Sequence, residues 1–306
     1  MCRIPAATKP SDRRSQTVFC AGGRLCQTSQ PASRGTPMIS VSHLTALDAP
    51  PEDFIMGAAA AGFTGVGLRI MPPKHAPGRY PVVGDAARIA LLRRMADDAG
   101  IRIFEAESFG IDVDTNPGDL LPALEAASAL GARFVVSGGI DPDESRLAAR
   151  YAELAEHAQR FDIGVVIEFM PSRPMRSLED ALRVLARAAH PNLKLLIDTL
   201  HLARSGGTVA QVAALDLAQI GYVHLCDAPA AHPGPDGLTP ESREGRLFPG
   251  EGELPLAALL AVLPVDMPLS IEAPHRDHGR LPARERLALA GRTTLAFVAA
   301  ARAGRS

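Results

Sequence analysis

Cysteine is scarce in this 306-residue chain and poorly placed for structural use. Cys2, Cys20 and Cys26 fall in the first 26 residues and Cys226 stands apart from them. Neither a disulfide framework nor a CxxC zinc site is written there, and a reducing cytoplasm is the simplest compartment. No run of 18 or more apolar residues occurs, so the sequence offers no transmembrane helix and points to no membrane partner. No GxGxxG or GxxxxGKS/T follows an apolar run, which argues against an open dinucleotide-binding sheet or a P-loop. Excess positive charge is also missing. The net charge is −2, and the 46% hydrophobic and 22% charged content is that of an ordinary soluble globular protein.

The charge is unevenly spread. Residues 1–37 carry six basic residues against the single Asp12, or +5, which leaves −7 for residues 38–306. Pro, Ser, Thr, Gly and Arg dominate this leading segment and no helical or strand period lasts long enough to bury a face, so it reads as a disordered basic extension. Its Arg- and Ser-rich, acid-poor character is compatible with an organellar transit peptide. The plainer reading is an extension upstream of Met38, which opens the first strand.

From Met38 onward, apolar runs of strand length alternate with longer segments of helical period. The expected strands lie at 39–43, 65–70, 101–106, 133–137, 163–168, 193–198, 219–225 and 267–272. Between and after them, helices are expected at 51–61, 84–99, 117–130, 144–160, 177–189, 208–216, 254–263 and 284–302. The segments AAAAGF, ADDAGI, ASALGA and QRFDIG repeat one helix stop, a Gly or near neighbour taking a left-handed cap before a tight turn. Repeated punctuation implies a repeated unit, and eight βα units over residues 38–306 predict a single parallel eight-stranded (β/α)8 TIM barrel.

In such a barrel, chemistry collects where the strands end. Glu168 closes GVVIE, Asp198 closes LKLLID, His224 closes IGYVH and Glu272 closes PLSIE. Any one strand-end acid is commonly a helix cap or the partner of an arginine. Four at the same relative place on strands five to eight point instead to a shared cation. Three carboxylates and an imidazole suit one divalent metal ion (Mn²⁺, Mg²⁺, Co²⁺ or Zn²⁺) and leave room for substrate oxygens. Other strand-end residues are candidate substrate contacts: His43, Arg69, Glu107 and His275. Each has a structural alternative, since Arg69 can pair with Glu105 or Glu107, His43 can be a satisfied rim histidine, and His275 can lie exposed beside Arg276 and Asp277. Arg173 and Arg176 suit an anionic ligand or pairing with Glu179 and Asp180.

The segments IEFMP, IDTLH, VHLCDAP and SIEAP, with FPGEGELPL further on, resemble the xylose isomerase-like TIM-barrel superfamily, in particular its sugar phosphate isomerase/epimerase group, across residues 38–300. The resemblance implies that Glu168, Asp198, His224 and Glu272 are the metal ligands. It also implies that Glu168 and Glu272 are acid/base residues on opposite sides of the substrate and that His201, closing DTLH, contacts substrate oxygens. Ketose epimerases of that group carry an Arg six residues after the seventh-strand histidine, where this chain has Ala230; Arg243 or Arg246 in the long loop 227–253 is placed to reach the mouth instead. A loop of that length reads as a lid or specificity element.

The expected reaction is removal of a proton alpha to a carbonyl of a small polyhydroxy compound, with the ion stabilising the enediolate. Returning the proton to the opposite face is epimerisation, and returning it to the neighbouring carbon is isomerisation. Expelling a β-hydroxyl makes the enzyme a dehydratase, of an inosose or 3-dehydroshikimate for instance. An endonuclease IV-like DNA-repair nuclease also uses this barrel but fits poorly, since no further histidines end strands two to four and the acidic body lacks a footprint for nucleic acid. No Gly-rich turn opens a helix after strand seven or eight, which favours a non-phosphorylated substrate. The alanine-rich helix faces are compatible with a homo-oligomer.

Overall fold

The computed structural model describes residues 37–72 and 80–304. The expected disordered extension lies, except for its last residue, outside the described residues. Eight strands form a closed parallel barrel in sequential order: β1 Ile39–Val41, β2 Gly65–Arg69, β3 Arg102–Glu107, β4 Phe134–Gly138, β5 Gly164–Glu168, β6 Leu193–Asp198, β7 Ile220–Leu225 and β8 Leu269–Ile271. All eight overlap the strands read from the sequence. The helices are α1 Pro51–Ala60, α2 Ala86–Asp98, α3 Leu121–Leu130, α4 Glu144–Gln159, α5 Leu178–Ala188, α6 Thr199–Arg204, α7 Val209–Ala213, α8 Leu238–Glu244, α9 Leu256–Val262 and α10 Ala283–Ala303.

Local chemistry sets the ends of these elements. Helix α5 opens on a capping box in which Ser177 and Asp180 satisfy each other's backbone N–H groups, and it buries Leu178, Ala181, Val184 and Leu185 along one stripe. The repeated stops behave as their sequence implies: Gly62, Gly100 and Gly131 have positive φ, and in QRFDIG it is Asp162, at φ 58°, that takes the left-handed place. The helix expected over 117–130 is split into a 3-10 turn, Pro117–Leu120, and α3. Pro122 explains the break, because it has no N–H to continue the hydrogen-bond ladder from that turn.

Two apolar layers result. Between barrel and helices lies the main core, which includes fully buried Phe54, Leu92, Leu124, Leu154 and Val184. Inside the barrel, Phe104, Phe134, Val136, Val166, Leu196 and Tyr222 form a separate plug beneath the carboxyl mouth, with edge-on packing of Phe104 against Phe134 and Tyr222. The β2–β3 register shifts between Val66 and Gly67, where Val66 faces Ile103 and Gly67 faces Glu105. That irregularity gives β3 one extra residue, so Phe104 reaches the plug while Glu105 also contacts interior side chains.

Candidate metal centre

Strands β5, β6 and β7 end on or next to Glu168, Asp198 and His224, and Glu272 follows β8 directly. The parallel register sets Asp198 opposite His224. All four side chains are buried, and one ligand atom from each lies within 4.8 Å of all the others. The Nδ1 atom of His224 is 3.6 Å from Glu168 Oε1 and 3.5 Å from Glu272 Oε2.

The donors in this cluster are prepared unequally. Asp198 Oδ1 caps α6 by accepting the His201 N–H at 2.8 Å, and its Oδ2 accepts from Arg246 Nη1 at 2.7 Å. The dull reading of this acid, helix cap and arginine partner, is therefore true alongside its place in the cluster. Glu272 Oε2 lies 2.9 Å from Arg246 Nη2. By contrast, Glu168 Oε1 and His224 Nδ1 are buried without any hydrogen-bond partner. Buried polar atoms left unpaired are costly, and two facing each other among carboxylates make a place that could hold a cation.

Behind His224 stands Glu105, whose Oε2 is 3.0 Å from the imidazole Nε2. A carboxylate accepts only, so Nε2 carries the donated hydrogen and Nδ1 is the atom presented to the cluster. Glu105 is itself held by Ser270 Oγ at 2.6 Å and by the Tyr222 hydroxyl. Gly67 makes room for it: a Cβ there would lie 2.5 Å from the Glu105 side chain.

Without a cation, burial alone would lower the His224 pKa, but Glu272 and Glu105 outweigh it and raise it well above its ordinary value. The proton then held by the ring offsets charge that a metal would otherwise neutralise. For Glu272, burial acts to raise the pKa, and His224 and Arg246 together hold it well below the usual carboxylate range. Asp198 is lowered in the same way by Arg246, again against burial.

A cavity of about 420 Å³ opens above the cluster. Among the expected substrate contacts, Arg69, Glu107, His201 and Arg246 line it, as do Arg173 and Arg243. Arg69 Nη2 pairs with Glu107 Oε2 at 3.1 Å. Arg246 is fully buried against Asp198 and Glu272, nearer the ligands than its position in a long loop suggested. Two of the expected contacts, His43 and His275, do not line the cavity. His43 Nε2 meets the Ala49 carbonyl at 3.0 Å and its Nδ1 accepts the Arg69 N–H at 3.2 Å, so both ring nitrogens are occupied by backbone; burial pushes its pKa down to about 4. His275 Nε2 lies 2.8 Å from Glu251 and its Nδ1 accepts the Asp277 N–H, with the ring stacked on His278. Arg176 is exposed, and its backbone N–H donates to Asp180.

Glu105 was legible only as a partner for Arg69, a role that falls to Glu107. The available signal was the pair of acids two apart in RIFEAE, an otherwise largely apolar strand. Ser42 gave no signal; its hydroxyl joins Glu107 and Glu272, residues far from it in the chain.

Fold and centre together define a (β/α)8 barrel with a carboxylate–imidazole cluster at its carboxyl mouth. The family model described as "Xylose isomerase-like TIM barrel" matches residues 57–293, and the chain belongs to this family. It is 24% identical over 188 residues to an inosose isomerase of Halalkalibacterium halodurans, a match spanning 57% of this chain and 65% of that protein. The crystal structure of the IOLI protein with a bound zinc atom superposes with a TM-score of 0.71 at 17% identity, covering 86% of this chain and 98% of that one. D-allulose 3-epimerase from Methylomonas sp. gives a TM-score of 0.63 at 17% identity, covering 87% of this chain and 99% of that one. At these identities the structural likeness is one of fold. No helix among the described residues is long and apolar enough to cross a membrane.

Proposed function

We propose that this chain is a divalent-metal-dependent isomerase or epimerase of a small polyhydroxy carbonyl compound, with Glu168, Asp198, His224 and Glu272 as the metal ligands. The observation that carries the reading is the pair of unpartnered buried atoms, Glu168 Oε1 and His224 Nδ1, facing each other below a cavity lined by both Glu168 and Glu272. The inosose isomerase match supports the substrate class. A bound divalent ion supplies Lewis-acid stabilisation of negative charge on substrate oxygens.

The protein's own groups then divide the work. Glu168 and Glu272 reach the cavity from β5 and β8, and they exchange a proton with the carbon alpha to the carbonyl from opposite sides. Glu168, which lines the cavity, is assigned as the base. Glu272 is oriented by Arg246 and Ser42. His201, Arg69 and Arg246 line the same cavity and hold substrate oxygens so that the reacting carbon stays between the two glutamates.

The test is proton NMR in D₂O with metal-loaded and chelator-stripped protein, using ketoses, inososes and 3-dehydroshikimate as substrates. Metal-dependent replacement of the alpha proton by deuterium, without loss of water, is the expected result. Loss of water with a new ultraviolet chromophore would replace the isomerase reading by a dehydratase. Deuterium incorporation by the stripped protein equal to that of the loaded one would overturn both.

A further inference from the structure

Four arginines line the cavity above the metal centre: Arg69, Arg173, Arg243 and Arg246. Two of them are already engaged. Arg69 pairs with Glu107, and Arg246 spans Asp198 and Glu272. Arg173 and Arg243 differ, because among the described residues no hydrogen bond or ion pair is made by either guanidinium. Arg173 is nevertheless half-buried. A guanidinium stays charged and carries five N–H donors, which water or an anion must satisfy.

The backbone beneath both arginines is held in place. In the loop after β5 the Arg173 N–H donates to the Met170 carbonyl at 2.9 Å, and the Met170 N–H donates to the Met175 carbonyl at 3.0 Å. On α8, Arg246 Nε donates to the carbonyl of Ser242, the neighbour of Arg243, at 2.9 Å. Little backbone ordering is left for a ligand to impose. The acids of the cavity do not answer these charges. Glu168 and Glu272 belong to the metal centre, and Glu107 to Arg69. Asp112, Asp114 and Asp119 come from the loop after β3, where Asp112 accepts from Thr115 Oγ1 and the Asp114 N–H, and Asp119 from Asn116 Nδ2. Charge at the mouth is thus segregated by loop.

We propose that Arg173 and Arg243 form an anion subsite at the rim of the cavity, and that the substrate is a hydroxylated keto acid whose carboxylate they bind. The substrate assignment rests on the function proposed above, which places the carbonyl at the metal centre; the subsite is measured by binding alone. Arg173 lies five residues beyond Glu168, and the exposed Arg243 lies three before the buried Arg246. The carboxylate therefore belongs at the end of the substrate remote from the reacting carbon. Planar guanidinium and planar carboxylate match at two points. A phosphate is best held by backbone N–H groups at a helix start as well, and those opening α5, the helix after Arg173, are spent. The Asp180 N–H goes to Ser177 Oγ, and those of Arg176 and Ser177 go to Asp180.

The experiment measures, by calorimetry, the binding of three probes to the full-length protein supplied with Mn²⁺. D-fructose, D-fructuronate and D-fructose 6-phosphate share the carbonyl end and differ at the far terminal carbon, which bears an alcohol, a carboxylate or a phosphate ester. Fructuronate is expected to bind about tenfold or more tighter than fructose, the gain from charge-assisted hydrogen bonds, and tighter than the phosphate ester. Arg173→Gln and Arg243→Gln are each expected to cut that preference by about fivefold or more. Arg176→Gln, which removes the same charge from an exposed site outside the cavity, is expected to leave it. No gain from the carboxylate, a preference that survives both substitutions together, or an equal loss in Arg176→Gln would overturn the subsite. Tighter binding of the phosphate ester would overturn the keto acid. The reaction fails separately: absence of metal-dependent deuterium exchange in every compound sinks the proposed function, while the ratio of affinities still decides whether the two arginines bind an anion.

Discussion

At the scale of single residues, the centre divides into groups that chemistry alone identifies and groups that only their neighbours identify. Glu168, Asp198, His224 and Glu272 were legible because acids and an imidazole at the ends of apolar strands are out of place unless something binds them. His43 occupies the same kind of position, yet the Ala49 carbonyl and the Arg69 N–H consume both ring nitrogens, and nothing in its sequence context reveals that. Glu105 went unassigned because its role is relational: it fixes the His224 ring from across the barrel. Glu105→Gln is therefore expected to weaken divalent-metal binding by about 10- to 100-fold, read by competition with a chromogenic chelator, while the fold is retained. Glu107 makes a pH prediction. Its folded-state pKa, about 7, stands above the ordinary glutamate value of 4.5, so the folded chain holds this proton more tightly than the unfolded one. The associated stability is present in full below pH 4.5 and is lost as pH rises toward and through 7. Urea unfolding in chelator at pH 4.5 and pH 8 is expected to show wild type losing about 3 kcal/mol more than Glu107→Gln over that interval.

Elements position those residues, and here the strand pattern was easier to read than the loops. Helices α6 and α8 were missed: α6 is hidden in the DTLH motif and α8 lies inside a segment rich in Pro and Gly. The 227–253 loop, expected as a lid, is tied down by Arg246 to Asp198 and Glu272 and, elsewhere, by buried Arg204 to the partly buried Glu241 of α8 at 2.7 Å, with Arg204 also donating to the Pro229 carbonyl. Removing one partner of a buried pair strands the other. Arg204→Ala is expected to speed hydrogen exchange across residues 229–247 by at least tenfold and leave the barrel strands protected; unchanged exchange there would show that the pair does not anchor the loop. Strand β2 carries a second device. Gly67 faces Glu105 at the register shift, where an added Cβ would meet the Glu105 carboxylate at 2.5 Å. Gly67→Ala is thus expected to displace Glu105 and to reproduce the metal-affinity loss of Glu105→Gln, with the two changes together costing little more than either alone.

For the molecule as a whole, barrel closure was readable because eight apolar runs alternate with helical segments and share one punctuation, whereas the bulge that lets β3 supply both a plug residue and Glu105 leaves no mark on that alternation. Closure brings together side chains more than 100 residues apart in the chain: Glu168 and Glu272 both reach His224. A cation bound there belongs to the folded state alone, so metal at 100 times its Kd is expected to add about 2.7 kcal/mol to unfolding stability, and a chelator to remove it. The most direct measurement is metal content after equilibrium dialysis against Mn²⁺ or Zn²⁺, for wild type and for a variant combining Glu168→Gln with His224→Ala. One tightly held ion per wild-type chain and none in the variant is the predicted result; no ion in wild type, or the same ion retained by the variant, would contradict a metal centre at the barrel mouth.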